Sequence, residues 1–391
     1  MSLIAKKTLV DPKFGLLLFG GQSVLLASLF CYANWNGLGL THDSYYYLES
    51  AATFRQTLSF DNLGINQYFP FQSFLIMMLS ILGQYGYEYS FYINGCLLIA
   101  TNGLFLWITL SLIKSRFIII CFTFTMTFSV SQLMVHSHLW TEPLFLFFLA
   151  IMWLLTIRFY NKPNLKNLIW LVIISVLVCL QRKAGMLFIA STSLGLFLVL
   201  VQNRFTYLKV TVVALFVLVL ILLFGYLGGP NIIGEKPSFV FFLDQLHYYL
   251  DTTSAWILPL PIPYYLRLIT LLLIVLGSMV YYLKKKNSIP NNHIIAIFTF
   301  VFFTYFIIRL FYDRPDPSEM ERYLSPVYPI FLLVMYLIME HLLFKISDRR
   351  KLIMQLVLLI WMIYPLIRVA KNAHLWHLRE SNNKQAELPK I

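Results

Sequence analysis

Charge is what this sequence has least of. Only 12% of its 391 residues are Asp, Glu, Lys or Arg, about half the share found in an ordinary soluble domain. With 59% hydrophobic residues, the chain has too little polar surface to cover itself in water, which excludes a soluble globular fold. Cysteine is sparse too. Cys31, Cys96, Cys121 and Cys179 are the only four; each lies in an apolar stretch and no spacing pairs them, so neither a disulfide framework nor a thiolate metal site is indicated. There is no P-loop, no HExxH helix, no nucleophile elbow and no dinucleotide fingerprint. Nothing therefore points to a soluble nucleotide donor. Acids are the scarcer sign, 17 against 30 bases for a net charge of +13. The bases fall in short clusters between apolar runs, a membrane-topology signal rather than a nucleic-acid surface.

What the chain does have is hydrophobic length. A membrane-spanning helix needs about 20 mostly apolar residues, and the sequence offers roughly eleven such runs. They lie near 14–33, 89–113, 117–135, 143–159, 168–181, 186–202, 208–227, 264–283, 293–308, 326–344 and 352–367. The expected fold class is all-α, a polytopic transmembrane helix bundle with a cytoplasmic N-terminus and the C-terminus outside. The first run is too long, and lacks the small-residue pattern, for a cleaved signal peptide. A shorter apolar segment at 70–83 is expected as a juxtamembrane helix in the first outer loop. Alternation then puts Lys114 and Arg116, Arg158, Lys162 and Lys166, Arg204 and Lys209, Lys284 to Lys286, and Lys345 with Arg349, Arg350 and Lys351 all inside, as the positive-inside rule requires. Treating 70–83 as a full span would move these clusters outside. Most acids fall on the outer face, so the polar chemistry is expected there. Gly228-Gly229-Pro230 offers a soft boundary between a module at 1–227 and a second at 228–391.

Four outer segments carry residues suited to chemistry. After the first span comes Thr41-His42-Asp43-Ser44-Tyr45-Tyr46-Tyr47. Asp43 reads either as the N-cap of a helix starting at Ser44 or as a base, since a desolvated carboxylate can take a proton from an acceptor hydroxyl. The tyrosines read equally as an aromatic belt or a sugar-stacking surface. Next is His136-Ser137-His138-Leu139-Trp140-Thr141-Glu142-Pro143, where Thr141 and Pro143 suit a helix start. Glu142 either complements that helix's dipole or pairs with Asp43 for acid/base work or a divalent cation. The two histidines, at i and i+2, do not share one helix face. Then Arg182-Lys183-Ala184-Gly185 places two cations outside, where a bound phosphate or snorkelling to headgroups would offset the cost. Finally Glu319-Met320-Glu321-Arg322-Tyr323-Leu324-Ser325-Pro326 brings Arg322 to the membrane edge.

In order and placement these landmarks resemble the GT-C superfamily of polytopic glycosyltransferases, which includes the protein O-mannosyltransferases and the bacterial aminoarabinose transferases. The matching pieces are His42-Asp43-Ser44, Pro70 to Gly83, Thr141-Glu142-Pro143, Arg182-Lys183 with Gly185, and Glu321 to Pro326. The resemblance implies inverting transfer of a sugar from a polyprenyl-phosphate donor to a lipid, glycan or protein acceptor at the outer face of a bacterial cytoplasmic membrane. It implies Asp43 as general base, Glu142 as a second acid, and Arg182, Lys183 and Arg322 at the donor phosphate. His42, Tyr46, His138 and Tyr323 are the expected substrate contacts. A divalent cation is an open possibility that the resemblance does not fix. The large soluble luminal domain of protein O-mannosyltransferases is absent. The first module is expected to hold the donor and the second, with its aromatic loop at 228–263, the acceptor. The competing expectation is a polytopic transporter or flippase, which would place ionisable groups at mid-span and show related halves.

Overall fold

The computed structural model describes residues 11–59, 72–202, 239–310 and 319–379. Within them every regular element is helical, and the isolated β pairing is a parallel bridge between Gly39 and His138. In chain order the helices are α1 (Pro12–Ala33), α2 (His42–Thr57), α3 (Ser73–Leu82), α4 (Gly86–Leu112), α5 (Arg116–Thr127), α6 (Val130–His136), α7 (Glu142–Asn161), α8 (Leu165–Gln181), α9 (Ala184–Gln202), α10 (Phe239–Ser254), α11 (Tyr264–Lys285), α12 (Asn292–Leu310), α13 (Met320–Leu324), α14 (Tyr328–Lys345) and α15 (Asp348–His377).

Among the described residues seven stretches are long and apolar enough to cross a membrane: α1, the run Phe74–Leu112 through α3 and α4, α7, α11, α12, α14 and α15. The α5–α6 pair makes an eighth if taken as one broken span, bent by 43°. Helices α8 and α9 are apolar but shorter. The expected single span at 117–135 is thus two helices. The chain leaves helical geometry at Phe128, and the Ser129 hydroxyl then accepts from the Gln132 amide at 3.2 Å, starting α6 afresh. The segment at 70–83 appears as the ten-residue α3, too short to span alone, ending at Gly83 with φ +60°. The last span is part of a 30-residue helix that carries Pro365 inside it. The span expected at 208–227, Pro70, the loop residues 228–238 and 311–318, and the tail past Arg379 lie outside the described residues.

The bundle has two distinct ends. At one, the Glu340 carboxylate of α14 accepts from the amides of Lys114 and Ser115 at 2.6 and 2.8 Å, capping α5. Asn291 donates to the Leu112 carbonyl at 3.0 Å and the Arg116 guanidinium lies over Phe14. The described basic loops sit at this end. The other end collects the C-terminal ends of α1 and α8, the N-terminal ends of α2, α7 and α9, and all of α13. Between the ends, α1 packs on α4 and α15, α9 on α12, and α14 on α5. The largest apolar core runs without a break from Phe105, Phe122 and Trp153 to Phe298, Tyr336 and Met362. The 1–227 and 228–391 segments therefore share one core. A second cluster, with Tyr47, Leu48 and Ala51 of α2 against Leu75, Ile76 and Leu79 of α3, closes over Leu139 and so fixes the N-terminal half of α2 beside the 137–141 loop.

Candidate functional site

Three local devices set the site. Helix α2 is capped by Thr41, whose amide donates to the Ser44 hydroxyl at 3.0 Å, while Ser44 donates onward to the Leu139 carbonyl at 2.9 Å. The cap expected at Asp43 is therefore Thr41. Asp43 lies in the first helical turn, where an acid is favoured by the exposed amides, and its side chain serves another partner.

The 137–141 loop is held from three sides. Gly39 donates to the Ser137 carbonyl at 2.9 Å and accepts from Leu139 at 3.1 Å. Asn94 donates to the carbonyls of His136 and His138 at 3.1 and 2.9 Å, and Gln181 donates to that of Thr141 at 3.0 Å. Trp140 and Glu142 are thus set in place by backbone bonds. At the α8–α9 turn, a Cβ on Gly185 would meet the Val178 backbone carbonyl; glycine there lets the two helices close up behind Arg182.

These devices converge on Arg322 of α13. Its Nε donates to Glu142 Oε1 at 2.5 Å, Nη1 to Glu319 Oε2 at 2.9 Å and Nη2 to Asp43 Oδ2 at 2.7 Å. Each nitrogen of the guanidinium therefore serves a different carboxylate. Asp43 and Arg322 are 279 residues apart in sequence. Arg182 pairs with the same Oε1 of Glu142. The Arg322 guanidinium carbon stands 4.1 Å from the Trp140 ring centroid and 5.8 Å from that of Tyr323, and Arg309 covers Tyr323 at 4.6 Å.

Exposure separates the acids. The Glu142 side chain is 1% exposed and that of Arg322 4%, whereas that of Asp43 is 44% exposed. Glu142 is an interior anchor between two arginines, and Asp43 is the acid that a substrate can reach. Burial works against the charge on Arg322, but Glu142, Tyr47 and Asp43 around it hold it more firmly protonated than usual. Tyr47 is buried beside the same group. Desolvation first, then Glu142 and Asp43, push its hydroxyl well above the ordinary range, so it stays neutral as a hydrogen-bonding group.

The structure thus brings Asp43, Glu142, Arg182, Arg322 and Tyr323 into one cluster. Four other expected contacts are placed differently. His42 is exposed at the start of α2, Tyr46 is half-buried and edge-on to Tyr47 at 6.3 Å, and Lys183 is half-buried on the α8–α9 turn. His138 gives both ring nitrogens to the protein: Nδ1 lies 2.9 Å from the Met134 carbonyl and Nε2 3.2 Å from Arg379 Nη1. Three site residues escaped the sequence reading. Trp140 and Tyr47 were indistinguishable from belt aromatics, and Glu319 from a solvated loop charge; the signal for Glu319 was its i, i+3 spacing to Arg322.

A cation between Asp43 and Glu142 does not fit this arrangement, because the guanidinium of Arg322 occupies the space between the two carboxylates. Among the described residues no group of three or more His, Cys, Asp or Glu side chains is arranged to hold a metal ion. No protein-family model and no curated protein sequence matches the chain.

Proposed function

We propose that this protein is a membrane glycosyltransferase that moves a sugar from a polyprenyl-phosphate donor to an acceptor, with inversion, at the outer face of a bacterial cytoplasmic membrane. The observation that carries the reading is the convergence of Asp43, Glu142, Arg182 and Arg322 from four distant segments, with Glu142 and Arg322 buried, Arg182 22% exposed and Asp43 44% exposed. Ionised groups are costly in an apolar bundle, and such clusters are functional-site candidates. The same end of the bundle lies opposite the basic loops, which by the positive-inside rule face the cytoplasm. With α8, α9 and the α5–α6 pair counted as crossings, the described residues make ten; the eleventh expected from the sequence, 208–227, lies outside them.

In this mechanism the acceptor hydroxyl attacks the anomeric carbon of the sugar as Asp43 takes its proton. The bond from that carbon to the phosphate oxygen breaks with its electron pair, and polyprenyl phosphate leaves. Arg182 and Arg322 stabilise the charge that develops on the leaving phosphate. No covalent enzyme intermediate is needed. Without donor, each nitrogen of Arg322 already serves a carboxylate, so a phosphate that arrives at Nη2 can displace Asp43 there. That exchange frees an Asp43 oxygen for the acceptor only when the donor has arrived.

The test is transfer of labelled sugar from a panel of polyprenyl-phosphate sugars by the purified protein in lipid, with membrane extract as acceptor. Asp43→Asn is expected to lower transfer by about 10²- to 10⁴-fold and to keep donor binding. Undiminished transfer in Asp43→Asn would remove Asp43 from the mechanism and leave the class; a wild type that neither binds nor transfers any donor would overturn the class in favour of a transporter.

A further inference from the structure

The C-terminal end of α15 lies against the back of the site, and its contacts lead to Arg322 in a single line. Tyr32 at the end of α1 hydrogen-bonds His374 at 2.9 Å and stacks on His377 with centroids 4.5 Å apart and planes 5° from parallel. Asn36 donates to the carbonyls of His377 and Arg379 at 3.1 and 3.0 Å. The chain end is thereby docked, and Arg379 is delivered over Gly39. Its Nη2 donates to Asn34 Oδ1 at 3.3 Å, and its Nη1 to the Ser137 carbonyl at 3.4 Å and to His138 Nε2 at 3.2 Å. Gly39 is what permits this, because a Cβ there would collide with both the Arg379 guanidinium and the His138 ring.

A guanidinium has only donors, so Nε2 of His138 must be the acceptor. Nδ1 then carries the proton and donates it to the Met134 carbonyl at 2.9 Å. The tautomer follows from the chemistry of the partners. The neutral ring stacks on Trp140 with centroids 4.2 Å apart and planes 11° from parallel. Arg322 stands 4.1 Å from the same indole. One face cannot hold both at that distance, so the indole is sandwiched between imidazole and guanidinium. Its edge is pinned as well, since Nε1 donates at 2.8 Å to Thr41, the cap of the helix that carries Asp43.

We infer that Arg379 and His138 are positioning residues for Arg322, acting through the Trp140 indole, so that the end of α15 is a working part of the site. Arg379 fixes the tautomer and tilt of His138, His138 backs the indole, and the indole presents its other face to Arg322 as a cation–π platform. A protonated imidazole in the same place would face two guanidiniums and would lose the Arg379 hydrogen bond. The inference rests on the proposed glycosyltransfer for its kinetic consequence and stands apart from it for its structural one.

Two readouts test it. In transfer assays, Arg379→Ala is expected to raise the donor KM by about 3- to 30-fold, the range a platform of this kind contributes, with a smaller change in kcat. Arg379→Lys, which can still donate to Nε2, should recover most of that loss. Gly39→Ala removes no polar group but displaces both the Arg379 guanidinium and the His138 ring, and should raise the KM at least as much as Arg379→Ala. An unchanged KM in Arg379→Ala, or a loss that Arg379→Lys does not recover, overturns the inference. The second readout needs no activity. In protein with ¹⁵N-labelled His, Trp and Arg, with signals assigned by His138→Gln, Trp140→Phe and Arg322→Lys, wild type should show His138 protonated at Nδ1. Arg379→Ala should shift the Trp140 indole and Arg322 Nε–H signals together. A wild type with His138 protonated at Nε2, or an Arg322 signal that stays put in Arg379→Ala, overturns it even if glycosyltransfer is established; the expected shifts in a protein without transfer would sustain it and sink only the proposed reaction.

Discussion

Glu321 and Arg322 are neighbours on α13, yet they enter clusters of different character. Glu321 points to a closed group: Arg368 and Ser131 donate to its two oxygens, and the Trp256 indole donates at 3.1 Å. Its side chain is 13% exposed and its neighbours are held in turn, with Trp361 donating to the Ile257 carbonyl at 2.8 Å and Tyr364 to that of Ala255. One acid there is matched by one arginine and two neutral donors. Around Arg322, three carboxylates compete for one guanidinium, and two of them reach solvent. The closed cluster joins α6, α13, α15 and the turn after α10, and can do nothing else without losing a partner. The open one can exchange an acid for another anion and remain satisfied. A short helix thus carries both a fixed anchor and an adjustable cation on consecutive residues.

Three measurements can break or sharpen this contrast. The largest effect is expected for Arg322→Ala, which leaves the buried Glu142 with Arg182 alone; loss of one partner of a buried pair costs about 3–5 kcal/mol, to be read by denaturation in detergent. Adding Glu142→Ala should return a good part of that loss, and a double variant no better than Arg322→Ala would show that the two residues are not coupled.

A smaller cost, about 1–3 kcal/mol, is expected for Glu321→Gln, which keeps the shape and gives up the charge-assisted bonds to Arg368. Transfer per folded molecule should survive it. If Glu321→Gln abolished transfer as Asp43→Asn is expected to, the distinction between anchor and working cation would fall.

The third effect, graded with pH, concerns acid. Burial foremost, helped by Arg379 and Arg322 and opposed by the Met134 carbonyl and Glu142, lowers His138 to about 4 from an ordinary 6.5. The unfolded chain therefore takes up this proton first as pH falls, so His138 stabilises the fold fully above about 6.5 and loses that contribution progressively down to about 4. The slope it adds is at most about 1.4 kcal/mol per pH unit. His138→Phe should flatten the acid limb of a stability–pH curve by up to one proton; an unchanged limb would place the titration elsewhere.

The charged half of the site was legible because charge is so rare in this chain. Asp43, Glu142, Arg182 and Arg322 lie in short polar stretches between apolar runs, and their grouping at helix ends on one face follows from alternation of the spans. Trp140, Tyr47 and Arg379 were not legible. Tyrosine and tryptophan are expected at every membrane boundary, so nothing in the sequence marks Trp140, which lies against a buried guanidinium, or Tyr47, which is buried beside the same group. Arg379 belongs to a polar tail, and its approach to His138 depends on the absent side chain of Gly39. Helix ends diverge for a related reason. Hydropathy sees the crossing length, whereas α15 continues through Asp348 and Arg349 at one end and Lys371 to His377 at the other because nothing in those residues stops a helix. The break inside 117–135 needed the Ser129 cap to be weighed above the apolar run around it.

Glu142 finds Arg322 across 180 residues of chain, and this distance has a consequence during synthesis. At about 5–20 residues per second, a ribosome reaches Arg322 roughly 9–36 s after Glu142 has been made. Arg182 arrives much sooner, about 40 residues on, and it binds the same oxygen of Glu142. It is therefore the carboxylate's first escort, covering the charge while the later helices are still being translated, and Arg322 joins a pair that is already neutral.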